Sequence, residues 1–232
     1  MRLAIIPARG GSKRIPRKNI KDFCGKPMIA WSILSAIESG CFDQVVVSTD
    51  DPEIADVAMK YGASVPFLRP STLADDYAGT IPVIQHAIRE CQLSSLHDQV
   101  CCIYATAAFV SPFYLREGLN LLLDSNANFV MSVGRYSSPI QRAVKIGAAG
   151  KIQMIDPSSY QSRSQDLEEA FHDAGQFYWG TARAWLEGLP VFADHTVPVV
   201  LPAHLVQDID TPEDWVRAEI MFQAIQSLAF AE

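Results

Sequence analysis

Short apolar runs, rich in β-branched residues, alternate along this chain with segments of helical spacing. RLAIIPA, QVVVSTD and VCCIYAT each end in a polar or glycine-rich turn; the helical segments are PMIAWSILSAIES, PEIADVAMKYG, a stretch from about Thr80 to Leu93, and SPFYLREGLNLLLDS. A strand without a polar face must be covered on both sides, and strands joined through helices pair in parallel. The predicted fold is therefore α/β, a mostly parallel sheet with helices on both faces. In such sheets ligands bind beyond the carboxyl ends of the strands, so chemistry is expected where these three runs end.

With 232 residues, 49% of them hydrophobic, the chain can bury one sizeable core, and a single domain over residues 1–232 is expected. Residues 136–173 break the rhythm with two short extended pieces, AVKIG and KIQMID, and the polar stretch PSSYQSRSQDLEE. This predicts an inserted arm, either a dimerisation element or a plain surface excursion. No apolar run approaches the roughly 18 residues of a membrane span, and MRLAIIPARGG turns to glycine and charge too early for a signal peptide. A cytoplasmic protein with no membrane partner is expected. The five cysteines are odd in number and lack C-x-x-C spacing, which argues against disulfides and structural zinc. Cys101 and Cys102 fall inside an apolar strand and are read as buried thiols, not nucleophiles.

The net charge of −7 excludes a nonspecific nucleic-acid binder. Its distribution is uneven. Residues 1–26 carry eight basic side chains against one acid, Asp22. Most of them cluster in the loop after the first strand, ARGGSKRIPRKN, residues 8–19. Glycines let backbone N–H groups surround an anion while arginine and lysine neutralise it, so a polyphosphate is the expected guest. A solvated basic loop is the plainer alternative, disfavoured by the mutual repulsion of its cations. Neither G-x-x-x-x-G-K-[ST] nor G-x-G-x-x-G is present. Near the other end, QDIDTPEDW sets Asp208 and Asp210 two residues apart, on one face if the backbone is extended, with Thr211-Pro212 opening a helix. Two such carboxylates suit Mg2+, which takes one or two of them and completes its shell with phosphate and water. Helix capping by Asp210 or Thr211 is the alternative.

ARGGSKRIPRKNI resembles the opening loop of the CMP-sialic acid synthetase family, and the likeness continues in order through KPMIAWSI, VVVSTDD, LRPSTLADDYAGT and QDIDTPEDW. The resemblance implies a Rossmann-like nucleotidyltransferase sheet, Mg2+ as cofactor, and a homodimer. It also implies transfer of CMP from CTP to the anomeric hydroxyl of a nine-carbon acidic sugar, with release of pyrophosphate. It places Arg9, Ser12 and Lys18 on the phosphates, beside the Gly10 backbone, with Arg9 and Lys18 steadying the leaving pyrophosphate. Ala8, Asn19, Arg69 and Ala78 would surround base and ribose, and Thr80 would lie near the nucleotide. Asp208 and Asp210 coincide with the family's metal pair. For Arg69 a surface charge beside Pro70 is the alternative, and for Thr80 a helix N-cap. No histidine base stands out among these motifs.

Family members acting on sialic acid typically read L-Q-P-T-S-P at the end of the third strand, where this chain reads IYATAAF, residues 103–109. That departure looks like the pseudaminic acid branch, as do QDL at 165–167 and HDAGQFYWG at 172–180. Ala108 departs from the branch's usual proline. By this likeness Tyr104, Thr106, His172, Asp173, Gln176, Phe177 and Tyr178 are expected around the sugar, with core packing the alternative for the aromatic residues. Gln141 and Arg142, at the base of the arm, are expected to meet the sugar's carboxylate, for which an arginine fork is suited; a surface ion pair is the alternative. The competing functions are activation of legionaminic or sialic acid, and an inactive nucleotide-binding relative.

Overall fold

The computed structural model describes residues 1–75, 78–93 and 95–229. Its first half repeats the predicted alternation. Strand β1 (Arg2–Pro7) runs into the basic loop, a small antiparallel ladder of β2 (Asp22–Phe23) with β3 (Lys26–Pro27), and helix α1 (Met28–Ser39). There follow β4 (Gln44–Ser48), α2 (Pro52–Lys60), α3 (Thr80–Glu90), β5 (Gln99–Ile103) and α4 (Pro112–Asp124). The second half holds β6 (Phe129–Arg135), the short hairpin β7 (Val144–Ile146) and β8 (Ile152–Met154), and the long β9 (Phe171–Thr181). It closes with α5 (Ala182–Glu187), β10 (Thr196–Leu201) and α6 (Pro212–Ala229).

The main sheet has the order β10-β6-β9-β5-β1-β4. β1 pairs in parallel with β4 and β5, and β10 with β6, while β9 runs antiparallel between β5 and β6. The fold is thus the mixed, mostly parallel α/β sheet expected. Both faces are dry, as the continuous apolar runs require. Ala4, Ile6, Cys101, Ile103 and Trp179 pack on one side against α1, α2 and α4; Leu3, Ile5, Val100, Cys102 and Tyr178 pack on the other against α3 and α5. Cys101 and Cys102 are fully buried, and burial pushes both thiols well above the ordinary cysteine range. None of the described helices is long and apolar enough to cross a membrane.

Local rules set the element ends. Asp51 accepts hydrogen bonds from the amides of Glu53 and Ile54 to cap α2, and Ser111 accepts from Phe113 to cap α4, each with a proline next in sequence. Gly40 closes α1 in the left-handed conformation, with φ of 65°. The alternative of Thr80 as a helix cap does not hold: the N-cap of α3 is Gly79, and Thr80 is already the first helical residue, its hydroxyl turned to Tyr104.

Between β6 and β9 the chain leaves the sheet for the β7–β8 hairpin and three short 3-10 turns. This segment is the predicted arm, and its apolar side chains face outward: Ile146 is 78% exposed, Ile152 72% and Tyr160 73%.

α4 packs close to β9 at Gly118. A Cβ built there would lie 2.9 Å from Trp179 and 3.0 Å from Phe177, both fully buried rings. Trp179 is further fixed by stacking on Phe42 and by donating its indole N–H to the Leu115 carbonyl at 3.1 Å. Glycine to alanine in a helix interior ordinarily stabilises by about 1 kcal/mol. Here the sign reverses: Gly118→Ala is expected to destabilise by about 1–3 kcal/mol, because the rings have nowhere to move. Urea denaturation checks this, and a rise in the midpoint would contradict it.

Candidate active site

β1 lies between β4 and β5, so its carboxyl end is where the connections diverge to the two sides of the sheet, the usual place for a ligand crevice. A cavity of about 220 Å³ opens there, lined by Pro7, Arg9, Ser12, Lys13, Arg14, Ile15, Lys18, Asn19, Tyr104, Ala105, Thr106 and Asp210. Two ends of the chain meet in it.

The meeting is made by apolar burial. Ile15, in the middle of the basic loop, and Ile209, between the two aspartates, are 2% and 1% exposed in one cluster with Phe23, Met28, Phe109, Trp215 and Phe222. Phe23 meets Phe109, Trp215 and Phe222 edge to face, at centroid distances of 6.5, 5.3 and 5.3 Å. Such pairs contribute about 0.5–1.5 kcal/mol each beyond their buried area. Ala108 is buried in the same cluster. With Ile209 inside, Asp208 and Asp210 are left outside.

Asp210 pairs with Lys18 at 3.3 Å and with Arg14 at 3.0 Å, and Lys18 also donates to the Ile209 carbonyl. Helix capping does not occupy Asp210's carboxylate: Thr211 accepts from the Asp214 amide at 3.2 Å, and Asp214 accepts in return from the Thr211 amide at 2.9 Å. Asp208 stands at the exposed rim. Partial desolvation raises its pKa first and the neighbouring Asp210 charge second, with Lys18 opposing. Two carboxylates that repel one another beside a basic loop could hold a divalent cation. Among the described residues no set of three or more His, Cys, Asp or Glu gathers for a metal, so these two would be the protein's share.

The loop is tied down at several points. Asn19 is buried and donates its side-chain amide to the Arg9 carbonyl at 2.9 Å, while its own carbonyl accepts from Ile29 at the start of α1. The Gly10 amide donates to Asp50 at 3.1 Å. Ala8 is buried, its amide donating to Ser48 at the end of β4. Ala78 is half-buried, with its amide on Asp75 at 2.7 Å.

Arg69 is no surface charge. It is 6% exposed, 3.6 Å from Asp50, and its Nε and one terminal nitrogen have no hydrogen-bond partner. Desolvation lowers its pKa, the Asp50 charge opposes that, and Arg9 adds to it. Buried guanidinium donors without a hydrogen bond are costly to the fold.

A second, more apolar cavity of about 460 Å³ adjoins the first through Tyr104, which lines both. Its walls are Gly79, Thr80, Ile81, Pro82, Tyr104, Asp173, Tyr178, Trp185, Pro190, Val191 and Phe192. The Tyr104 hydroxyl lies 3.2 Å from that of Thr80, and the Tyr178 hydroxyl donates to Asp173, whose other oxygen accepts from the Gly175 amide at 2.8 Å. Burial first, then the neighbouring Tyr104, pushes Tyr178 far above the ordinary tyrosine range, so it stays a donor.

Five of the residues expected around the sugar lie outside both cavities. Phe177 points into the core beneath α4 and lines neither cavity. Gln176 is 3% exposed and holds the Leu205 carbonyl, fastening the segment that leads to Asp208. Gln141 and Arg142 bond within the arm, to the carbonyls of Glu168 and Ser162, and reach neither cavity of their own chain. His172 packs on Tyr136 at 4.9 Å and bonds the Asp173 carbonyl, so only Asp173 of that pair faces the cleft. Trp185, Pro190, Val191 and Phe192 were not anticipated, because no motif marks them; they come together only through the packing of α5 and the turn after it.

An arginine kept for a ligand should be dispensable to the fold. Arg69→Met is expected to leave the urea midpoint unchanged or raised, since an apolar chain of similar length replaces a desolvated charge. A loss above about 1 kcal/mol would show instead that the guanidinium serves stability.

Comparison with known proteins identifies the family. The model of a family described as cytidylyltransferase matches residues 3–177. A pseudaminic acid cytidylyltransferase of Campylobacter jejuni is 48% identical over 98% of this chain and 99% of its own. A CMP-N,N'-diacetyllegionaminic acid synthase of Legionella pneumophila is 35% identical over 97% of each. The solved CMP:2-keto-3-deoxy-manno-octonic acid synthetase complexed with CTP superposes with a TM-score of 0.70 over 96% of this chain and 98% of that one, at 17% identity, which supports the shared fold. A glycine-rich basic loop after β1, fastened to an acidic pair at the head of α6 on this sheet, places the chain in the cytidylyltransferase family.

Proposed function

We propose that this enzyme transfers CMP from CTP to the anomeric hydroxyl of pseudaminic acid, releasing pyrophosphate. The observation that carries the reading is the junction at Lys18. It closes a basic, triphosphate-sized cleft against the acidic pair, and that cleft opens through Tyr104 into an apolar pocket. The likeness to the Campylobacter jejuni cytidylyltransferase over nearly the whole chain supports the choice of sugar.

In this reading Arg9, Ser12 and Lys18 hold the phosphates, and the Gly10 amide exchanges Asp50 for a phosphate oxygen. Arg69 gives its unpaired donors to the nucleotide, beside Asn19, Ala8, Ala78 and Thr80. Asp208 and Asp210 would hold Mg2+, which when bound supplies charge neutralisation at the phosphate oxygens. Phosphoryl transfer asks little covalent chemistry of a protein, so positioning and charge dominate. Lys18 and Arg9 then stabilise charge developing on the pyrophosphate. Tyr104, Thr106, Tyr178 and Asp173 orient the sugar, with Trp185 and Phe192 excluding water around its apolar substituents.

Incubation with CTP, Mg2+ and pseudaminic acid is expected to yield the CMP-sugar and pyrophosphate. Turnover on legionaminic or sialic acid alone would change the sugar, and unchanged CTP with all three would overturn the reading. Asp208→Asn and Asp210→Asn are each expected to lower kcat by about 100-fold, the scale of losing one electrostatic stabiliser of the transition state. Wild-type rates in these variants would remove the acidic pair from the mechanism.

We also propose that the arm pairs with a second copy, covering Ile146, Ile152 and Tyr160. Sedimentation velocity is expected to show a dimer for the native chain and a monomer for Ile146→Asp/Ile152→Asp; a native monomer would refute the pairing.

A further inference from the structure

We infer that Arg17 is a positioning residue for the phosphate loop, its ionic clasp onto the start of α2 fixing the turn that aims Lys18 into the cleft. The inference rests on the CTP-binding reading given above.

Arg17 has φ of 55°, in the left-handed region that a residue with a Cβ avoids. The turn around it is tight: the amides of Ile20 and Lys21 both donate to its carbonyl, at 3.0 and 2.9 Å, and the Lys18 amide donates to Ile15 at 3.2 Å. Something outside the turn must hold this conformation. The guanidinium reaches Asp51 with both terminal nitrogens, one of them at 3.3 Å, and also Glu53. Asp51 is a fixed anchor, because the same carboxylate caps α2 through the Glu53 and Ile54 amides at 2.9 and 3.1 Å. The bond from Arg17, above its other partners, holds the Asp51 carboxyl below the usual carboxylate range, so the pair stays ionised.

The same helix start also meets the other end of the loop. A Cβ on Gly10 would stand 2.5 Å from the Asp51 carboxylate, so this approach is open only to glycine. α2 therefore grips the loop at Gly10 and at Arg17. Lys18 goes the opposite way, to the Ile209 carbonyl and Asp210. Neighbouring residues tied to opposite walls make the backbone between them a pivot. Releasing Arg17 frees Lys18 from its register with the phosphates without touching any substrate contact.

The test compares Arg17→Gly and Arg17→Lys with wild type by calorimetric titration with CTP and with cytidine, alongside urea unfolding. Glycine adopts the left-handed turn without strain, so Arg17→Gly is expected to keep or raise the unfolding midpoint. Its dissociation constant for CTP is expected to rise about tenfold, the typical weight of one lost charge-assisted anchor, while cytidine binding is unchanged. Arg17→Lys is expected to fall between, since an ammonium supplies charge without the fork. CTP binding at wild-type strength in Arg17→Gly would overturn the inference. So would equal weakening of CTP and cytidine, or a lowered midpoint, either of which would assign Arg17 to the fold alone. A wild-type chain with no affinity for CTP would overturn the underlying reading, and this one with it.

Discussion

The active cleft depends on the burial of two isoleucines nearly two hundred residues apart in sequence. Ile15 and Ile209 enter the same aromatic cluster, and each carries its polar neighbours to the rim. Without that cluster the basic loop would be an exposed excursion and the aspartates the end of an irregular connection. With it, Lys18 reaches Asp210 and the Ile209 carbonyl. The driving force is nondirectional burial of apolar surface, but the alternation of buried and exposed residues along each segment turns it into a precise placement of charge. Residues with no chemistry of their own, Phe23, Trp215 and Phe222, thereby become conditions for function.

Charge balance explains how a loop so rich in cations folds. Asp50, Asp51, Glu53 and Asp210 stand around it and accept from Gly10, Arg17, Lys18 and Arg14. These contacts are of unequal kind. Asp51 is bound into the cap of α2 and serves as scaffold. Asp210 lines the cleft, and Asp50 accepts from the Gly10 amide and lies beside Arg69. Among the described residues Arg69 is the one charged group with buried nitrogens that make no hydrogen bond. Its guanidinium lies 3.6 Å from Asp50, yet two of its nitrogens make no hydrogen bond, and such buried donors weaken a fold unless something completes them.

The larger pocket divides the work differently. Its aromatic and proline walls give shape, and the short polar run of Thr80, Tyr104, Tyr178 and Asp173 gives orientation. Tyr104 belongs to both cavities, so in the proposed reading a substitution there would be felt by nucleotide and sugar together. Gln176 and Phe177, adjacent to Tyr178 on β9, show how one strand serves several ends: one side chain fastens the approach to Asp208, one fills the core, and one lines the pocket.

The sequence by itself determined the alternating α/β sheet, because apolar runs without a polar face need covering on both sides, and it marked the glycine-rich basic loop and the acidic pair as candidate site residues, because glycine, cation and carboxylate declare themselves locally. It also marked the arm by a break in rhythm. The tertiary structure alone decided which aromatic residues line a cavity. Phe177 and Tyr178 are indistinguishable by composition, and their fates follow from strand register, which sends successive side chains to opposite faces. It alone showed Arg69 buried, a matter of how the segment after α2 folds back on Thr49. It alone brought Pro190, Val191 and Phe192 to the pocket and Asp51 to Arg17, since neither pairing leaves a spacing that a linear reading can detect. Local chemistry is written in neighbouring residues, whereas the choice of partners is made by packing among distant ones.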